Sequence, residues 1–244
     1  MHHSPWSWHF AWGELGIVAA LVLAYGFAVY RYPVSRARLA AGISALVLVA
    51  AALLSPLSTI SLHYLLSAHL LQNVILAEWA PALLVGGLAP ALAARLGEIG
   101  AIRVLTHPFV ALPLWAATYA VWHVPAVYDA ALRNHGLLAL EHVSYLATGC
   151  LLWWPVVQHA PHALHWGQRA AYVFGAFLLA SPISLLLTLL PDPIYAFYEE
   201  APRIWGVSPL TDQQIAGVIM SGSEAIVFFA AFAFCVFRFF EDEA

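Results

Sequence analysis

The sequence predicts an all-α, polytopic membrane protein: one domain over residues 1–244, built as a bundle of seven transmembrane helices with the N-terminus outside and the C-terminus inside. Three observations carry the fold class. Hydrophobic residues make up 63% of the chain and charged residues only 9%, too few polar side chains to cover a soluble domain. A backbone in lipid must satisfy its own hydrogen bonds, which leaves helices or a closed barrel. Long unbroken apolar runs select helices, because barrel strands alternate in character over about ten residues.

Windows of about twenty apolar residues place the spans at 13–30, 38–55, 62–89, 108–128, 136–157, 168–190 and 211–237. The first follows residues 1–12, which contain no Lys or Arg and so do not read as a cleaved secretory signal; it is expected to remain as a spanning helix. Breakers separate the spans in turn: the Arg-rich segment 31–38 with Pro33, the Ser55-Pro56 pair, and segments 90–107, 133–135, 161–167 and 191–209. Pro113 and Pro182 fall inside spans, where kinks are expected. Trp6, Trp8, Trp12, Trp153, Trp154 and Trp205 lie near span ends and read as interface anchors.

Orientation follows from the nine Arg, since the chain has no Lys and positive residues concentrate in cytoplasmic loops. With the N-terminus outside, Arg31, Arg36, Arg38, Arg95, Arg103, Arg169 and Arg238 are inside, and only Arg133 and Arg203 are outside.

This topology brings particular polar residues to one level. His69 lies seven residues into the third span, roughly 10 Å from its outer end at helical rise. His142 is about as deep in the fifth span, and His123 reaches that level from the opposite direction near the end of the fourth. Asp212, Gln213 and Gln214 open the seventh span at the same edge. Ionisable groups at such depth are costly and face the bundle interior, and neutral imidazole is a ligand for copper and zinc. Each histidine alone can equally be a hydrogen-bonding group between helices. Met220 lies two turns from Gln213 on about the same face, as a thioether ligand or as packing.

Glu78 and Glu224 fall deeper, where an unpaired charge is expensive; they read as protonated or partnered acids, or as part of a proton or cation path. Cys150 and Cys235 sit on different helices without paired spacing and read as packing thiols. His159, His162 and His165 fall in a loop placed inside, either as a metal site or as headgroup neighbours. The sequence Met1-His2-His3 can bind Cu(II) through a free terminal amine and His3.

Four stretches together resemble the CtaG family, the seven-helix cytochrome c oxidase assembly factors associated with caa(3)-type oxidases. They are Ser67-Ala-His-Leu-Leu-Gln-Asn73, Trp122-His-Val-Pro-Ala-Val-Tyr-Asp-Ala-Ala131, Glu141-His142 with Trp153-Trp-Pro155, and Thr211-Asp-Gln-Gln-Ile-Ala-Gly-Val-Ile-Met220. The resemblance implies maturation of a haem-copper oxidase in a bacterial cytoplasmic membrane, by supplying or handling copper at the outer face. It points to His69, His123, His142 and the Asp212-Gln213-Gln214 run. Two departures stand out. Where the family has a second histidine four residues after the first, this chain has Asn73, a poor copper ligand. The family's Met-Trp and Pro-Gly region reads Met220-Ser221-Gly222-Ser223-Glu224.

The expected function is therefore a non-enzymatic assembly factor that holds copper through His69, His123 and His142, with Asp212, Gln213 and Met220 as further candidate ligands. Its expected partners are an oxidase subunit or a copper donor protein, in a lipid surround that leaves the oligomeric state open. One alternative is a membrane hydrolase in which three histidines hold zinc and Asp212 acts as base. Another is a copper or proton-coupled transporter using the Glu78 and Glu224 level, although inverted repeats are not visible. No nucleotide-binding loop or GxSxG elbow occurs, and a net charge of -4 without a basic tail argues against nucleic acid.

Overall fold

The computed structural model describes residues 4–243. The Met1-His2-His3 reading lies outside the described residues. Helix α1 (Trp12–Arg31) packs on α2 (Arg36–Leu54). Ser55 ends α2, and its hydroxyl accepts the Leu57 amide at 3.1 Å while Pro56 opens α3 (Pro56–His63), a local start signal written in the sequence.

The span expected at 62–89 is displaced. Residues 62–63 finish α3, the chain breaks at Tyr64 and Leu65, and the spanning helix runs from Leu66 to Gly87. That span consists of α4 (Leu66–Val74), a π-helical turn at Ile75–Trp79 and α5 (Ala80–Gly87). The wide turn has a local cause in Pro81, which has no N–H to return to the Ala77 carbonyl; the Ala80 amide reaches back to Ile75 instead. The connection expected over 90–107 holds two short helices, α6 (Pro90–Gly97) and α7 (Gly100–Leu105).

The fourth span is also corrected. In place of one helix over 108–128, α8 (Pro108–Trp122) and α9 (Pro125–Arg133) meet at a 74° bend. Pro125 holds Val124 extended at φ -66° and ψ 121°, and a helix cannot continue through a residue so placed. The remaining helices are α10 (His135–Val157), α11 (Trp166–Leu189), α12 (Ala196–Glu200) and α13 (Pro209–Glu243). Pro113 and Pro182 lie within α8 and α11, each of which continues as one helix through its proline. Among the described residues six helices are long and apolar enough to cross a membrane, and seven spans result when α8 and α9 count as one.

The α4–α5 span is the most enclosed of these, and α1 is peripheral. Two glycines permit the close approaches that bring the site together. A Cβ on Gly149 of α10 would lie 2.6 Å from Pro81 Cγ, and one on Gly217 of α13 would lie 2.6 Å from the Ser184 carbonyl of α11. Of the tryptophans read as interface anchors, Trp6, Trp8, Trp12 and Trp205 are exposed, whereas Trp153 and Trp154 are buried in the bundle. Trp153 stacks on Phe228 at 5.7 Å, and Trp154 donates to the Ala160 carbonyl at 2.7 Å.

Candidate functional site

One end of the bundle is where α4, α10 and α13 begin and α8 and α11 finish. There the first free amides of α4 are capped from another helix. Asp212 of α13 accepts from Leu66 N at 2.7 Å and Ser67 N at 3.0 Å, one contact to each carboxylate oxygen. A carboxylate at a helix N-terminus satisfies orphan donors and complements the helix dipole. Gln72 ties the same helix to its neighbours, accepting from the Ser61 hydroxyl at 2.8 Å and donating to the Ala52 carbonyl at 2.9 Å. With α4 fixed at both points, His69 and Asn73, four residues apart, face α10 on one side of the helix.

Helix α10 answers with Glu141 and His142, both buried. Glu141 Oε1 accepts from Asn73 Nδ2 at 2.9 Å and stands 3.4 Å from His69 Nε2. Since a carboxylate only accepts, this arrangement places the His69 proton on Nε2 and leaves Nδ1 as the lone-pair nitrogen. Nδ1 is buried without a hydrogen-bond partner, and so are both ring nitrogens of His142. The His69 and His142 ring centroids are 6.4 Å apart.

His123 sits in the bend between α8 and α9, as the residue that closes α8. Its Nδ1 lies 2.7 Å from the Tyr119 carbonyl, which can only accept, so the proton is on Nδ1 and Nε2 carries the lone pair. That Nε2 is also buried and unpartnered. Tyr128 of α9 packs near both histidines, 5.2 Å from the His69 ring and 6.4 Å from the His123 ring. The layer thus contains a His69–His142 ring pair, with His123 beside Tyr128. Among the described residues no three His, Cys, Asp or Glu side chains stand close enough together to share one ion.

The α12 segment roofs the layer. Tyr195 donates to the His123 carbonyl at 3.1 Å, and Tyr198 to the Ser61 carbonyl at 2.6 Å. Burial holds both phenols above the usual tyrosine range, so they stay neutral donors. Gln213 is used in positioning this roof: its Oε1 accepts from Ile194 N at 2.8 Å and its Nε2 donates to the Asp192 carbonyl at 3.2 Å. Gln214 is exposed, and Met220 is buried in the hydrophobic core.

A second polar level lies below. Glu224 accepts from the Tyr119 hydroxyl at 2.6 Å and from Ser184 at 3.3 Å, while fully buried Glu78 has no hydrogen-bond partner on either oxygen. The loop histidines serve separate local roles. His159 accepts from Arg169 at 3.0 Å, His162 donates to the Arg103 carbonyl at 2.7 Å, and His165 caps α11. Cys150 and Cys235 are free thiols.

Sequence reasoning found the three histidines but assigned no work to Glu141, Asn73 or the tyrosines. The signals were present as four-residue spacings on single helices, His69 with Asn73, Tyr119 with His123, and Glu141 with Tyr145.

The sequence model of the cytochrome c oxidase caa3 assembly factor (Caa3_CtaG) family matches residues 17–242. No curated protein and no solved structure matches the chain.

Proposed function

The chain belongs to the cytochrome c oxidase caa3 assembly factor family, and on that premise we propose that it carries copper(I) as cargo at the His69–His142 pair and gives it up to an oxidase subunit. The role is non-enzymatic. The observation that carries this reading is the state of the ring nitrogens: buried lone pairs without protein partners on His69, His142 and His123, two of them with the far nitrogen already engaged. Imidazole ligands are characteristically oriented through their second nitrogen by a carboxylate or a backbone carbonyl, the roles that Glu141 and Tyr119 take here.

The spacing supports a two-coordinate ion. Two imidazoles sharing a metal at about 2 Å from each nitrogen hold their centroids roughly 6 Å apart, and the observed separation is 6.4 Å. Copper(I) tolerates so few ligands. Zinc in a hydrolase uses three protein ligands and an open position, whereas among the described residues no third His, Cys, Asp or Glu joins the pair, and Asp212 has both oxygens on α4 amides. His123 then acts as the next position along the transfer path, a donor that takes the ion by ligand exchange.

The Arg distribution supports an orientation with the histidine end at the outer face of a bacterial cytoplasmic membrane, where a copper donor or the oxidase subunit would meet it. The test is genetic and chemical together. A strain lacking this protein, grown at limiting copper, is expected to assemble oxidase deficient in copper, with copper excess restoring the content. Full copper occupancy in the deletion strain at limiting copper would refute the role.

A further inference from the structure

Two acids below the histidine layer have no part in holding copper. Glu78, in the π-helical turn, and Glu224, in α13, are both completely buried. They lie within electrostatic reach of each other. Neither Glu78 oxygen has a hydrogen-bond partner, and the hydroxyl of Tyr145, which feels the Glu78 charge, is also buried and unpartnered. Two negative charges that feel each other are costly in so apolar an interior.

Two tyrosines join this level to the histidines. Tyr119 donates to Glu224 at 2.6 Å, and its ring lies 4.7 Å from that of His123. Tyr145 of α10 is one turn from Glu141 and within electrostatic reach of both Glu141 and Glu78. The groups facing the pair are therefore Tyr119 from α8, Tyr145 from α10 and Ser184 from α11. None of them is a cation, so none of these groups compensates a negative charge left on the pair, whereas a metal ion in the layer above would.

We propose that Glu78 and Glu224 form a proton site that gives up its proton when copper(I) enters the histidine layer. The proposal rests on the copper reading above. On loading, imidazole lone pairs take the metal ion, an O–H bond of the acid pair breaks, its electrons stay on the carboxylate and the proton leaves to water. No oxidation state changes, and the buried interior keeps its total charge. Emptying the site reverses the exchange, so a proton returning to the pair helps expel the ion toward its acceptor.

The experiment adds copper(I) to the purified full-length protein in weakly buffered detergent. Bound copper is read by chelator competition, released protons by an indicator dye and carboxyl protonation by difference infrared spectroscopy. Wild type is expected to release a proton for each ion bound and to lose the infrared band of a protonated carboxyl group. Glu78→Gln with Glu224→Gln is expected to bind copper more weakly, with neither proton release nor band loss. Glu224→Asp keeps the acid, restores both signals and shows that the lost signals are not misfolding. Copper binding in wild type without proton release or band loss overturns the exchange alone, as do unchanged signals in the double variant. Absence of copper binding in wild type overturns the copper reading itself.

Discussion

A neutral imidazole offers one lone pair, and which nitrogen carries it depends on what the other nitrogen touches. In this chain the deciding contacts are long-range. Asn73 stands one turn after His69 on the same helix, and its amide holds Glu141, which in turn holds His69. Asn73 thus supports the orientation of His69 through Glu141. Removing a group that orients a metal ligand weakens binding about 10–100-fold, so Asn73→Ala is expected to lower copper(I) affinity by that factor in a chelator titration, with thermal unfolding little changed. Unaltered affinity would show that Glu141 needs no help from Asn73. The histidines were legible from sequence because buried ionisable residues in apolar spans stand out. The role of Glu141 was not, since it depends on the side of α10 that meets α4, a relation no single helix encodes.

At the scale of elements, the span count and most boundaries were legible in hydropathy and breakers, and two internal breaks were not. The bend at His123 had a local signal, Pro125 two residues later, which forces Val124 out of the helix. The break at Tyr64 and Leu65 contains neither Pro nor Gly. It is sustained by Asp212, 146 residues from Leu66, whose carboxylate supplies the cap that the local sequence lacks. A residue that reads as a ligand from its charge and depth is used instead to start the helix that carries His69. Asp212→Ala leaves two buried amides unsatisfied at a cost of about 1–3 kcal/mol. The expected result is a lower thermal midpoint in detergent together with weaker copper binding, because α4 loses its register. An unchanged midpoint would mean that the cap contributes nothing to the bundle.

At the scale of the whole molecule, the chain is a helical bundle with its polar chemistry gathered at one end and an acid pair beneath it. The Arg asymmetry predicts that this end faces outward, so single cysteines placed in segment 201–208 should react with a membrane-impermeant thiol reagent in intact cells, while cysteines placed in segment 98–99 should not. The opposite labelling pattern would invert the bundle and remove the histidine layer from the outer face. The most direct test of the central claim is metal analysis of detergent-purified protein after copper(I) loading, comparing wild type with His69→Ala, His142→Ala and His123→Ala. The account predicts stoichiometric copper in wild type, loss of retention in the first two variants, and retention with slowed transfer to an acceptor in the third. Weak copper retention that none of the three substitutions changes would contradict it.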